Sequence, residues 1–365
     1  MERIPLGRPE VTKEMIDAMT CALQNERLVL GESVHRFEEA FARYTGTKHA
    51  VSVSSGTDAL RLAMIASRLE SKDVVTTPLS FIATANAAVQ AGAVPRFSDV
   101  CYEDNNIDVQ KLRANLTSRA GALLPVHLFG HPCKMDEIND LAREKGIKVI
   151  EDACQAHGAL YRGKKAGAIG DIGCFSFYPT KNMTVGGDGG MITTDDADLA
   201  KEIAKLRDCG RVSRYVHDVI GFTSRLNTGN AAFGLVQLKY LDSWNERRRA
   251  IAGRYDSLLK DVEEVVRPPR PDKDVSPVYH LYAIKCKDRD GLAKHLNDNG
   301  IECGVHYPVP IHLQPVYVQR YGYKPGDHPV SEALSESLLS LPIFPSLKDE
   351  QVRKVAETVA SFYGR

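Results

Sequence analysis

Over its first two thirds the chain alternates short apolar runs with longer amphipathic ones, and few folds accept that rhythm. Short runs bounded by turn residues suit strands buried on both faces, whereas period-3.6 stretches suit helices laid over them. The candidate strands are HAVSVS, VVTTP, VPRFSDV, GALLPVHLF, KVIED, GCFSFY and GMITTD. Between them lie helical patterns such as TDALRLAMIASRL, with Leu60, Ala63, Met64 and Ser67 on one side, and MDEINDLAREKG, which ends in a glycine suited to a helix C-terminus. The reading is an α/β fold whose large domain holds a seven-stranded, mostly parallel sheet. Near residue 240 the pattern changes to an Arg-rich helix, DSWNERRRAIAGRYDSLL, then the proline-rich VRPPRPDKDVSP, then a smaller α+β region. Residues 1–240 are therefore expected to form the large domain and 241–365 the small one, with RPPRPDKD as a surface connection.

A length of 365 residues with 43% hydrophobic and 26% charged residues is the balance of a globular enzyme-sized protein of two domains. Forty-seven Lys+Arg offset forty-seven Asp+Glu, so no long-range field would gather nucleic acid. No apolar run approaches the roughly 20 residues that span a bilayer, and Glu2, Arg3 and two prolines interrupt the start where a secretion signal needs an unbroken apolar stretch. A cytoplasmic protein is expected. The eight cysteines are far apart, with no CxxC and no Cys/His grouping at metal-ligand spacing, so they read as reduced fillers and no metal is expected.

Ligands of an open parallel sheet sit beyond the carboxyl ends of its strands, and three such ends stand out. In VSVSSGTDALRLAM a strand enters a Ser-Ser-Gly-Thr turn and then a helix, so Gly56 permits close backbone approach while Thr57 and the free N–H groups could hold a phosphate. A plain N-cap leaves the same trace. In KVIEDACQAHG, Glu151 and Asp152 follow an apolar strand, and an inward carboxylate there calls for a cationic partner such as a protonated ring nitrogen. A cap or a surface acid is the alternative. Gln155 is preferred over His157 as a further site residue. In FSFYPTKNMTVGGDGGMITTDD, Lys181 stands among glycines and small residues, where a ligand can pack close and a lysine can become a usable amine. A solvated surface lysine is the bland alternative, and the combination outweighs it: an anion cradle, a strand-end acid and an amine on successive units of one sheet meet the needs of pyridoxal 5′-phosphate, PLP.

SSGTDALRLAM, EDACQAHGA, FSFYPTKNMTVGGDGGMITTDD, RLNTGNAAFGLVQL and VHYPVPIHLQPVY, in this order, resemble the DegT/DnrJ/EryC1/StrS family of PLP-dependent sugar aminotransferases, within the fold type I class. The resemblance extends from about residue 3 to the end of the sequence. It implies a seven-stranded large domain, a small C-terminal domain, and a homodimer with shared active sites. Lys181 is then implied as the Schiff-base lysine, Asp152 as partner of the ring nitrogen, and Gln155 as neighbour of the ring hydroxyl. Gly56, Thr57 and Ser176 would hold the phosphate and Phe81 would stack on the ring, unless Phe81 is a core aromatic. His306, Tyr307 and His312 become candidates for the sugar-nucleotide pocket, although Pro308 and Pro310 alone account for a rigid segment.

One segment departs from the family pattern. Where members carry Gly-Tyr/Phe-Asn-x-Arg reaching across the dimer to the phosphate, this chain reads GFTSRLN, so Thr223 or Asn227 would take the role of that Asn. The activity implied is amino transfer from an amino acid, glutamate foremost, to a nucleotide-linked keto sugar, with pyridoxamine 5′-phosphate as the form between half-reactions. Gln155, YPTKN and GDGG are closer to members that aminate C3 than to those acting at C4. Three alternatives remain. A sugar dehydratase branch carries His where this chain has Lys181. Another PLP class, such as a lyase or a cysteine desulfurase, would show a mobile catalytic Cys loop, and no such loop is evident. A regulatory member would bind cofactor or sugar nucleotide without turnover.

Overall fold

A computed structural model describes residues 3–365; Met1 and Glu2 lie outside the described residues. All seven candidate strands form and join one sheet, in the spatial order His49–Val53, Gly190–Thr194, Ile172–Ser176, Lys148–Asp152, Ala120–Leu123, Asp73–Thr76 and Val94–Phe97. Gly190–Thr194 pairs antiparallel with both its neighbours, and the remaining pairs are parallel.

Alternation along the strands decides what covers each face. Val74, Ala122, Ile150, Cys174 and Ile192 pack under the helices Gly56–Ala66, Ala83–Gln90 and Ala197–Arg207. Their strand neighbours point the other way. Val75, Leu123 and Val149 meet the helix Met135–Lys145, while Phe175 and Met191 meet Phe37 and Phe41 of the helix Glu32–Thr45. Both faces are thus buried, which is why these strands read as continuous apolar runs rather than alternating ones.

The smaller unit is an antiparallel sheet of Val265–Val266, Tyr282–Cys286 and Leu338–Leu341, covered by the helices Arg289–Asp298 and Asp349–Phe362. The expected change near residue 240 falls inside a single 31-residue helix, Thr228–Leu258. Ala231 and Leu241 of this helix belong to the large-domain core, whereas Ile251, Ala252 and Tyr255 belong to the small one. Ile4, near the start of the chain, also packs into the small-domain core. Among the described residues no helix is long and apolar enough to cross a membrane, no grouping of side chains could hold a metal ion, and all eight cysteines are free thiols.

Candidate active site

The carboxyl ends of the strands open into a cavity of about 500 Å³. Three sheet units and the small domain supply its wall: Gly56 and Thr57, Asp152 and Gln155, Ser176 and Lys181, then His280, His306 and Tyr307. Nine residues singled out from the sequence therefore meet here, namely Gly56, Thr57, Phe81, Asp152, Gln155, Ser176, Lys181, His306 and Tyr307.

At the first strand end, Ser55 caps the helix Gly56–Ala66 by accepting a 3.1 Å bond from Asp58 N. The two preceding N–H groups, of Gly56 and Thr57, belong to the free first turn at the positive end of the helix dipole. A Cβ on Gly56 would lie 2.5 Å from Ser176 Cβ, so only glycine lets the helix start approach Ser176 this closely.

Asp152 is buried, and both its oxygens are engaged. Oδ2 accepts from Thr84 Oγ1 at 2.8 Å and Oδ1 from Cys154 N at 3.2 Å. Its neighbour Glu151 points to the opposite face, where it accepts from the backbone N–H groups of Gly167, Ile169 and Gly170 and lies 2.9 Å from His127 Nε2. One strand end thus carries a structural acid and a cavity acid, separated by the pleat.

Lys181 sits on a loop fixed from behind by the long helix. Asn230 Nδ2 donates to Val185 O, Gln237 Oε1 accepts from Thr184 N, and Asn182 Nδ2 donates to Asn245 Oδ1. Among the described residues no hydrogen bond or ion pair holds the Lys181 amine. Burial lowers its affinity for a proton below the usual lysine range, an effect opposed by Cys154 and Asp152. Burial likewise pushes the Cys154 thiol up, so it stays protonated.

Gln155 is held in one orientation. Phe129 N donates to its Oε1 at 2.7 Å and its Nε2 donates to Tyr307 Oη at 3.1 Å. The Tyr307 proton is left free to face the cavity, since its oxygen accepts from Gln155. Phe81 is 56% exposed at the mouth, with its ring centroid 6.1 Å from that of Tyr307, and is not a core aromatic. His306 Nδ1 lies 3.0 Å from Ser340 Oγ; burial, with Lys181 nearby, lowers its pKa to about 4.

Four residues weighed from the sequence do not line this cavity. His312 is fully buried, with Nε2 3.0 Å from Glu332 Oε1 and its ring against His328, and it does not line this cavity. Thr223 and Asn227 are exposed: Thr223 Oγ1 faces Cys209 Sγ at 3.4 Å, and Asn227 precedes the long helix without capping it through its side chain. His157 is buried between Phe175 and Phe177, away from the cavity. Conversely, Thr84 and His280 went unread. Neither stands in a motif, and each acquires meaning only from a partner 68 or 98 residues away, Asp152 for Thr84 and Asn182 for His280.

A model of the DegT/DnrJ/EryC1/StrS aminotransferase family matches residues 9–360. The chain is 39% identical over 358 residues to a pleiotropic regulatory protein of Geobacillus stearothermophilus, covering 98% of this chain and 95% of that one. It is 40% identical over 360 residues to dTDP-3-amino-3,4,6-trideoxy-alpha-D-glucose transaminase of Streptomyces venezuelae, covering 98% and 94%. The crystal structure of S. venezuelae DesV in complex with a ketimine intermediate superposes with a TM-score of 0.97 at 38% identity, covering 100% of both chains.

Proposed function

The chain belongs to the DegT/DnrJ/EryC1/StrS aminotransferase family and is a PLP-dependent aminotransferase, and from that premise we propose that it transfers an amino group from an amino acid, L-glutamate first among the donors, to carbon 3 of a nucleotide-linked keto sugar. The observation that supports this reading best is the meeting in one cavity of an unpartnered lysine amine, a buried carboxylate and the opening turn of a helix. Support for carbon 3 comes from Gln155 and from the 3-amino product in the name of the Streptomyces venezuelae relative.

The residues present fit the cofactor: Gly56 leaves a cradle that a single Cβ would fill, and among the described residues no hydrogen bond or ion pair holds the Lys181 amine. Gly56, Thr57 and Ser176 would hold its phosphate, Asp152 a proton on its ring nitrogen, Gln155 its ring hydroxyl and Phe81 its face, with Lys181 as the Schiff-base residue. When bound, PLP supplies an aldehyde that amines condense with and a ring that withdraws electrons. Lys181 Nζ, once freed, takes the proton from the donor's Cα, and burial, by lowering its proton affinity, favours the free-base form that this step needs. In the second half-reaction it delivers a proton to the sugar carbon that receives nitrogen. His306 and Tyr307 form the small-domain side of the sugar-nucleotide pocket.

A homodimer completes this site. Val212, Tyr215 and Ile220 stand exposed on the segment leading to Thr223, a surface suited to a second copy. Thr223 or Asn227 would then serve the neighbouring subunit's phosphate, since neither serves its own. The eight free thiols support a reducing, cytoplasmic setting.

The test is incubation with L-glutamate and a panel of dTDP- and UDP-linked keto sugars, with products identified by mass spectrometry and NMR. A 3-amino sugar is expected; no amino sugar from any candidate overturns the reading. The regulatory protein among the relatives favours a second reading, cofactor binding without turnover. Glutamate alone separates the two, because only a catalyst converts the bound cofactor to its aminated form, which absorbs at shorter wavelength.

A further inference from the structure

Tyr307 offers the cavity a hydrogen-bond donor, and a backbone group fixes that polarity. Phe129 N can only donate, and it reaches Gln155 Oε1 at 2.7 Å. The other end of the same amide is therefore Nε2, which also can only donate, and it reaches Tyr307 Oη at 3.1 Å. Tyr307 Oη accepts there, so its own hydrogen points elsewhere, and among the described residues no acceptor binds that hydrogen. Burial raises the Tyr307 pKa well above the usual tyrosine range and the bond from Gln155 opposes this only in part, so the hydroxyl keeps its hydrogen. Asp152 and Cys154 act on the Tyr307 hydroxyl and on the Lys181 amine alike, which sets both groups around one pair of neighbours. His306 has no such fixed polarity, because the Ser340 hydroxyl beside it can donate or accept.

We propose that the Tyr307 hydroxyl donates a hydrogen bond to the keto oxygen of the sugar, and that Gln155, held by Phe129 N, turns it to that task. The proposal rests on the amino acceptor being a nucleotide-linked keto sugar. A keto oxygen carries no hydrogen and only accepts, whereas a sugar hydroxyl brings a hydrogen that would need an acceptor of its own. Gln155 Nε2 has a second hydrogen, the one assigned above to the ring hydroxyl of the cofactor. That ring hydroxyl neighbours the carbon at which amines condense, so one amide nitrogen places Tyr307 at the reacting end of the cavity and not at the nucleotide end. A donor on the keto oxygen draws electrons from the carbon that receives nitrogen and stabilises the charge that builds on oxygen as the new bond forms. Tyr307 passes no proton in this step; its hydroxyl orients and polarises.

The test removes the hydrogen bond from either side. Two dTDP-linked sugars are compared: the 3-keto-4,6-dideoxy hexose that matches the 3-amino-3,4,6-trideoxy product named for the Streptomyces venezuelae relative, and the 3,4,6-trideoxy hexose with a methylene in place of the carbonyl. Neither reacts with the PLP-loaded protein, which has no amine to give, so calorimetry reads binding alone. The parent should bind the keto sugar about fivefold tighter or more, and Tyr307→Phe should bring the two sugars within about twofold of each other. Gln155→Glu should do the same with Tyr307 in place, because a carboxylate accepts the phenol hydrogen and turns it out of the cavity; where that variant fails to hold PLP, Tyr307→Phe decides alone. A keto preference that survives in Tyr307→Phe overturns the proposal. The aminated form of the protein supplies a second readout: Tyr307→Phe should slow the half-reaction with the keto sugar at least about tenfold more than the half-reaction with L-glutamate. Equal slowing of both overturns the proposal as well. If neither sugar binds the parent, the nucleotide-sugar reading itself falls and takes the proposal with it; if both bind the parent without a difference, only the role of Tyr307 falls.

Discussion

Thr84 Oγ1 donates a 2.8 Å hydrogen bond to Asp152 Oδ2, tying the helix Ala83–Gln90 to the acid at the end of the strand Lys148–Asp152. Ser80 Oγ lies 2.7 Å from the same hydroxyl. Replacing Thr84 by Val keeps the shape and leaves one oxygen of a buried carboxylate short of a donor. A loss of about 1–3 kcal/mol in apoprotein stability is expected. Denaturant unfolding measures it, and PLP titration should show the loss partly restored in the holoprotein, where a ring N–H would face the same acid.

Gly56→Ala should damage both the phosphate cradle and the packing behind it. The new methyl would meet Ser176 Cβ at 2.5 Å and Cys154 Sγ at 3.0 Å, and neither is the far end of a flexible side chain. Overpacking of this kind costs about 1–3 kcal/mol. PLP affinity, read by fluorescence or absorbance titration, should fall at least about tenfold, the equivalent of about 1.4 kcal/mol.

Lys181→Ala should take up PLP without forming an imine, so borohydride followed by acid leaves no cofactor on the protein. The half-reaction with an amino donor should slow by at least about 100-fold, the lower limit for loss of a general acid–base group. Stopped-flow absorbance checks the rate and mass spectrometry the label.

Buried histidines make the protein sensitive to acid. Burial lowers the pKa of His157 to about 3 and those of His131, His306 and His328 to about 4. Each is more basic in the unfolded chain, near 6.5, so only the unfolded state binds the extra protons between those values. Stability is fully present above pH 6.5 and is lost as pH falls toward 4. The His157 ring is buried against Phe175 and Phe177, so His157→Leu should flatten the acid limb. Urea midpoints from pH 8 down to pH 4.5 would show it; an equally steep limb in the variant would refute the assignment to His157.

The sheet was legible because its strands are buried on both faces and announce themselves as apolar runs between turn residues. Lys181, Asp152 and the Gly56–Thr57 turn were legible for a related reason: each sits at a strand end, where the fold places ligands. His312 misled. It shares a segment with His306 and Tyr307, yet the 3-10 turn Ile311–Leu313 swings it inward to Glu332, and residue spacing carries no trace of that swing. Thr84 and His280 were illegible for a different reason, since their partners are remote in the chain and only the folded geometry joins them. The domain change was read near residue 240 because the Arg-rich pattern begins there, although one helix continues through it.

That helix, Thr228–Leu258, extends about 46 Å at 1.5 Å per residue. Asn230, Gln237 and Asn245 grip the Lys181 loop along its first two thirds, while Tyr255 near its far end is sealed in the other core. One continuous helix therefore joins the two cores. The backing of the reactive loop and the packing of the second core are thus built from one element, so a substitution at Tyr255 bears on the same helix that holds Asn182, Thr184 and Val185 in place.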